Sequence, residues 1–274
     1  MLMKNYLLLP GLFLLCLELC AATPQEEAFM RAWSAHARDT AAHRAVIDTC
    51  QSVMDRASTL GEFLPVVKTL AAWHLLADGH QADAVRIFES ALSTDKGAPP
   101  LTRYADTMAR RWLTRLDHLK VEKALATYHA DNVEYPGALS QLTALVKYKQ
   151  PPNTDRFGDP WVYQTEAFSK LRNTANQRYK LYSKTVGQRL TPLRALPFSA
   201  YGGKSASIVS RKATTPVSIE FETVSETGKR RGLATESGIV NGIRFLRLSS
   251  DASFAIMIDG DCDFWIVATP VRSR

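Results

Sequence analysis

The spacing of apolar residues changes along this chain, and the change limits the folds available to it. Up to about residue 132, apolar residues recur every three or four positions, as on one face of a helix; Leu70, Trp73 and Ala77 are an example. Beyond residue 204 they alternate with other residues, as in Val217 and Ile219, which is typical of strands. The sequence therefore predicts an α+β protein with its helices first and its main strands last.

Two breaks divide this pattern into segments. Residues 96–100 read Lys-Gly-Ala-Pro-Pro, and residues 190–203 contain two prolines and two glycines, residue types that interrupt regular structure. We predict a helical domain over residues 23–97, an α/β domain over 101–189 with a long helix and a small antiparallel sheet, a linker over 190–203, and a β-rich domain over 204–274. The last is expected to form a small barrel or sandwich.

The first 22 residues have the pattern of a secretory signal peptide. Lys4 precedes an almost wholly apolar run over residues 6–19, and Ala21 and Ala22 offer a cleavage site. The run is shorter than the ~20 residues that a spanning helix needs, which disfavours a permanent anchor. The leucine before Cys20 argues against a lipoprotein site. We predict cleavage near Ala22 and a periplasmic or extracellular location.

The net charge of +7 first suggests a polyanionic partner. Its basic residues are concentrated on one face of the predicted helix 102–132, at Arg110, Arg111, Arg115, Lys120 and Lys123. Nucleic-acid-binding sheets interleave basic and aromatic side chains, which this face does not. We predict a solvated basic face, no nucleic-acid partner, and membrane contact only at the periphery. The excess positive charge is then available for contacts between segments of the chain or with a partner. High salt should weaken such contacts.

The end of that helix carries a family resemblance. Residues 124–136 read ALATYHADNVEYP and residues 157–163 read FGDPWVY. In this order they resemble the globular domain of the type II secretion major pseudopilins, over about residues 110–186. There, a helix ending in A-L-x-x-Y is followed by an acidic turn, by Tyr-Pro, and by a D-P-W entry to a sheet. The matching residues are Tyr128, Tyr135, Pro136, Gly158, Asp159, Pro160, Trp161 and Tyr163.

The resemblance implies a structural module that works through protein–protein contacts. Pro136 is expected to end the long helix, and Trp161 to cover the interface between helix and sheet. The apolar N-terminal helix with which pseudopilins assemble is absent, and residues 184–189 contain no carboxylate for the family's calcium ion. The resemblance therefore implies neither a cofactor nor a metal.

A second, smaller resemblance lies in the helical segment. Ala84, Phe88 and Ala91 follow a turn at Gly79 with the small–aromatic–small spacing of a tetratricopeptide-type helical hairpin. Such hairpins bind peptides when several are stacked. The sequence contains one such hairpin, which predicts a helical domain with a peptide-docking role as one option.

The residues that commonly carry catalysis or metals form no recognised motif. Cys50 and Cys262 are expected to be buried thiols, with a disulfide as the alternative, and no histidine spacing predicts a metal site. His36 and His43 are seven residues apart and are expected to be solvated. We predict no catalytic, cofactor-binding or metal-binding residue.

The sequence thus predicts an exported, non-enzymatic cell-envelope protein with protein partners, among them components of a secretion-related apparatus. The alternatives are an envelope hydrolase with an unrecognised site and a surface structural protein.

Overall fold

The computed structural model describes residues 21–56, 60–144, 150–165, 178–187, 205–212, 217–225 and 228–270. The predicted signal peptide, apart from its last two residues, and the predicted linker 190–203 lie outside these ranges. Among the described residues, no helix combines the length and the hydropathy needed to cross a membrane.

Besides a 3₁₀ turn at Gly61–Phe63, five longer α-helices and one single-turn α-helix form the first part of the described fold. They are α1 (Pro24–Arg38), α2 (His43–Met54), α3 (Leu64–Ala77), α4 (Gln81–Ser90), α5 (Pro100–Asn132) and α6 (Ser140–Thr143). Local sequence explains several boundaries. Thr23 and Glu26 form a capping box at the start of α1, and α5 begins at Pro100, with Pro99 at the N-cap.

The strands form two sheets. The small antiparallel sheet pairs β1 (Val162–Thr165) with β2 (Tyr179–Tyr182). The large sheet has the order β5-β4-β3-β9-β8-β7-β6. Its strands are β3 (Ser205–Lys212), β4 (Ser218–Ser225), β5 (Gly228–Thr235), β6 (Ile239–Val240), β7 (Ile243–Leu248), β8 (Ala255–Asp259) and β9 (Trp265–Pro270). The chain is therefore an α+β protein, as predicted.

The large sheet curls into a nearly closed barrel. All its neighbouring strands are antiparallel except β3 and β9, which are parallel. Asn241 and Gly242 both have positive φ in the tight turn between β6 and β7, the conformation that an Asn-Gly hairpin turn requires. β5 approaches β6 closely where a Cβ at Gly232 would overlap the side chain of Val240, so a larger residue would push these strands apart.

The sheet has two buried faces, because successive residues of a strand point to opposite sides. On β8, Ala255 and Met257 belong to the barrel core, together with Phe221 and Phe245 and other apolar residues. The alternate residues Ile256 and Ile258 pack in a second core with the helices. One strand thus serves two cores.

The core shared by helices and sheet crosses the boundaries predicted between the helical and β-rich segments. Phe29 of α1, Leu70 of α3 and Leu113 of α5 lie in the same buried cluster as Trp265 and Leu246 of the sheet. The division into separate helical and β-rich domains stays a prediction.

Polar contacts reinforce this packing at the β8–β9 turn. Asp263 Oδ1 accepts hydrogen bonds from Arg111 Nε at 2.8 Å and from Arg115 Nη2 at 2.5 Å, and its backbone oxygen accepts one from Trp112 Nε1. The Trp265 indole donates to the Thr69 hydroxyl of α3 at 2.8 Å. These bonds join three elements that are far apart in sequence.

The prediction of a solvated basic face on α5 is wrong for Arg111 and Arg115. Arg115 is only 3% exposed, and its guanidinium lies 4.5 Å from the centre of the Trp112 ring. Two of its nitrogens, Nε and Nη1, have no hydrogen-bond partner among the described residues. Helical periodicity placed these residues on a polar face, but the β8–β9 turn covers that face.

We expect Asp263→Ala to lower the free energy of unfolding by about 3 kcal/mol, because it leaves a buried guanidinium without its counter-charge. Chemical denaturation with circular dichroism measures this change. The matched control is Asp48→Ala, which removes an Asp–Arg pair on α2 whose side chains are 70% and 74% exposed. That variant should lose less than about 0.5 kcal/mol. Equal effects of the two variants would contradict a central role for Asp263.

Candidate functional site

The residues that carry the pseudopilin resemblance meet at the C-terminal half of α5. There Val121 and Leu125 of α5, Leu142 of α6 and Trp161 form a small buried cluster of their own. Residues packed around this cluster include the motif residues Tyr128, Tyr135 and Tyr163. We call this set of elements, residues 121–187, the corner module.

Tyrosine contacts define the interior of the corner module. The Tyr135 ring lies 4.7 Å from the Tyr179 ring and 4.4 Å from the His129 ring, measured between centroids. The Tyr163 hydroxyl donates to the backbone oxygen of Pro136 at 2.8 Å. Burial raises the pKa of Tyr163 and raises the pKa of Tyr179 to about 12. These phenols stay neutral at physiological pH and act here as packing groups.

The entry to the small sheet is held by a carboxylate that sequence reasoning missed. Asp155 accepts hydrogen bonds from the backbone N–H groups of Phe157 and Asp159 and from the Ser183 hydroxyl. Gly158 has a φ of +92° in this turn, which suits glycine. The short Asp-x-x-Gly spacing is the local signal that could have identified Asp155.

The turn at residues 183–187 packs against this carboxylate turn. Asp159 accepts a hydrogen bond from the Thr185 hydroxyl at 3.2 Å, and Ser183 Oγ accepts one from the Val186 N–H at 3.1 Å. Hydroxyl groups thus hold the turn at residues 183–187 against the carboxylates of residues 155 and 159. The motif residues Pro160 and Trp161 directly follow Asp159 in the chain. The Trp161 indole N–H donates to the backbone oxygen of Pro152 at 2.9 Å.

A second cluster of titratable groups lies among the N-terminal helices. Nδ1 of His36 lies 3.2 Å from Nε2 of His74, and Nδ1 of His43 lies 3.1 Å from Nδ1 of His74. These residues come from α1, α3 and α2, and we call them the histidine chain. The prediction that His36 and His43 are solvated is wrong for His36, which is buried, and His43 is half-buried.

Aromatic side chains enclose the histidine chain. The His36 ring lies 4.7 Å from Trp33 and 5.4 Å from Phe264, and the His74 ring lies 5.4 Å from Trp73. This surrounding is apolar, so it disfavours the imidazolium form. Burial lowers the pKa of His36 to about 4, and burial together with nearby His36 and His43 lowers the pKa of His74 to about 3.

The geometry of the histidine chain allows relayed hydrogen bonds. Neutral His74 has one N–H, so it donates to one neighbour and accepts from the other. Its two ring nitrogens face different histidines, so the three rings do not converge on one point. In the described part of the chain, no group of three or more His, Cys, Asp or Glu side chains could hold a metal ion. His74 lies within an apolar stretch, and this was the local signal for a buried histidine.

The thiols are not paired with each other. Cys50 and Cys262 are both free, and burial raises the pKa of Cys50 to about 12 and that of Cys262 to about 11. Thiolates are the nucleophilic form of cysteine, so neither side chain is activated in this fold.

Comparison of the chain with family models, with curated proteins and with solved structures finds no match. Any function assigned to this chain therefore depends on its own residues and on the geometry of the corner module and the histidine chain.

We expect acid to destabilise the protein through the histidine chain. The pKa values of His36 and His74 in the folded protein lie below the ordinary value of about 6.5, so the unfolded chain binds more protons at these residues as pH falls. The stabilising contribution is complete above pH 6.5 and decreases as pH falls toward 4, by up to about 1.4 kcal/mol per pH unit for each of these two residues. Urea unfolding across this pH range measures the slope.

The variant His36→Gln should make this pH dependence less steep, because the amide takes up no proton while His74 still does, even if the variant is less stable at pH 7. His80→Gln is the control, because His80 lies outside the cluster on the exposed α3–α4 turn. An unchanged slope in His36→Gln would show that other groups cause the acid sensitivity.

Proposed function

We propose that this chain is an exported, non-enzymatic protein of the cell envelope that binds other proteins through its corner module. In this proposal, residues 101–189 act as a soluble counterpart of the pseudopilin globular domain, and the partners include components of a secretion-related apparatus. The N-terminal helices and the barrel-like sheet anchor the module. Export rests on the sequence pattern of residues 1–22.

The observation that carries the proposal is the strained, exposed end of α5. Val133 has a φ of +63° and is 60% exposed. This left-handed conformation is unfavourable for β-branched residues and is usually taken by Gly or Asn at helix ends. A large apolar side chain there stabilises neither the helix end nor a core. Strained positions of this kind cluster at functional sites.

The surroundings of Val133 suit a docking surface. Residues 130–134 are exposed, and they include the carboxylates of Asp131 and Glu134. Directly below, Tyr135 and Pro136 are held in the corner module by ring packing and by the bond from Tyr163. A protruding apolar side chain on a rigid base with a charged rim has the composition typical of protein interfaces.

The long helix gives this surface a firm support. The N-terminal half of α5 contributes Leu101, Met108 and Leu113 to the core of the helices and the sheet, and its C-terminal half contributes Val121 and Leu125 to the corner module. A continuous helix of 33 residues is about 50 Å long. A continuous helix therefore connects the corner module to the rest of the fold.

The hydrolase alternative receives less support. Cys50 is buried with a raised pKa, which does not suit a nucleophile. A cavity of about 270 Å³ is lined by Glu62 and Glu236 among others, but Glu62 forms an ion pair with Arg247. The pair of free carboxylates that acid–base hydrolysis needs is therefore not present there.

Affinity capture from a cell-envelope extract with the mature protein as bait tests the proposal. We expect wild-type protein to retain a secretion-related protein and Val133→Asn to lose most of it. Because Asn tolerates the left-handed conformation, Val133→Asn should also raise the free energy of unfolding by about 1 kcal/mol. Lost binding with unchanged or increased stability separates a docking role from a folding role.

A matched control is Ile239→Asn, which also replaces an exposed β-branched residue but lies on β6. It should retain the captured partner. Capture of no secretion-related protein by the wild type, or equal capture by Val133→Asn, would overturn the proposed function.

A further inference from the structure

The free side of β5 is a second surface with defined chemistry. β5 is the last strand of the large sheet, and in the described part of the chain its only hydrogen-bonded neighbour in the sheet is β4. β6 is two residues long and approaches β5 near Gly232, where Val240 lies. From residue 228 to residue 231 every residue of β5 is exposed. Among the described residues, no strand pairs with the outer side of this part of β5.

The register shows which backbone groups face outward. The Glu236 N–H donates to the Val217 oxygen, so these two residues form a hydrogen-bonded pair at the foot of the β4–β5 ladder. Hydrogen-bonded and non-hydrogen-bonded pairs alternate along an antiparallel ladder, and this ladder has no register shift. The backbone N–H and C=O groups of Lys229, Arg231 and Leu233 therefore point away from β4.

The side chains of these three residues share one face, because they are two positions apart. Lys229 Nζ lies 3.2 Å and Arg231 Nε 3.5 Å from the carboxylate of Glu222, so two cations share one carboxylate. Leu233 is 48% exposed. Arg230 adds a further positive charge, exposed on the opposite face. The edge thus presents a basic–x–basic–x–apolar pattern beside backbone groups that pair with no other strand in the described part of the chain.

We propose that this edge binds an extended acidic segment of another protein as an added β-strand. Two acidic residues of that segment lie opposite Lys229 and Arg231, and an apolar residue at its end contacts the exposed side chain of Leu233, beside the point where β6 approaches β5. Backbone hydrogen bonds supply affinity and the facing side chains supply selectivity. The same basic residues repel the β5 edge of a second copy of this chain, which limits self-association.

A peptide fits this edge better than a nucleic acid. Outward N–H and C=O groups alternate along β5, and a strand complements both of them. Phosphate groups accept hydrogen bonds only, so they would meet the carbonyl oxygens without a donor. The proposal concerns a different surface from the corner module and does not depend on it.

Binding of synthetic peptides to the full-length mature protein, followed by fluorescence anisotropy at low salt, tests this proposal. The probe is a peptide in which threonine alternates with, in order, one leucine and two glutamates. It is made with this order and with the reverse order, because an added strand could pair with the edge in either orientation. One control peptide replaces the glutamates with lysine. Another keeps the charges but replaces the intervening threonines with proline, which removes hydrogen-bond donors and disfavours strand addition.

We expect saturable binding of at least one glutamate peptide and no binding of either control peptide. Arg231→Gln should weaken binding about tenfold. Arg231→Pro removes the same charge and, in addition, the outward N–H group without breaking a bond to β4, so it should weaken binding further than Arg231→Gln does. Arg103→Gln, which replaces an exposed arginine on α5, should leave binding unchanged.

The proposal is overturned if neither glutamate peptide binds, if the proline peptide binds as tightly as its parent, or if Arg231→Gln retains full affinity. Equal binding of a single-stranded oligonucleotide of matched charge would also overturn it, because that result requires only electrostatic attraction. Circular dichroism checks that Arg231→Pro is folded, and the proline peptide gives the same test without altering the protein.

Discussion

Asp263 lies between two arginines of α5, and the packing around this contact holds the helices and the large sheet together. Trp265 and Ile258 are buried against the helices on one side of the turn that carries Asp263, while Trp112 donates to its backbone oxygen. Each large apolar side chain buried in this way contributes about 2–3 kcal/mol. The ion pairs contribute less net stability, but they exclude other arrangements, because any of these would leave buried charges unpaired.

The long helix α5 connects the Asp263 contact to the corner module. One half of it belongs to the core of helices and sheet and the other half to the corner module. Arg156 strengthens the connection, since it donates to Asp117 of α5 at 2.5 Å and to Glu89 of α4 at 3.1 Å. The corner therefore has a fixed base, and the strain at Val133 is maintained by its surroundings.

The two candidate binding surfaces are exposed, whereas the histidine chain is largely buried. The Val133 side chain is exposed, and the outer edge of β5 pairs with no other strand of the described structure. The histidine chain is the opposite case, because both ring nitrogens of His74 face other histidines inside an apolar shell. Surfaces of the first kind suit recognition, whereas a buried neutral cluster suits stability that depends on pH.

Local sequence was sufficient to determine the element types, the start of α5 after Pro99, the end of that helix before Pro136, and the turn at Asn241–Gly242. These features depend on steric and hydrogen-bonding properties of neighbouring residues. Only the tertiary structure decided that Arg115 is buried and that His74 meets two other histidines. Arg115 and Asp263 are 148 residues apart, and local periodicity carries no information about a partner at that distance. Burial of a charge depends on which element covers it, and here that element comes from the far end of the chain.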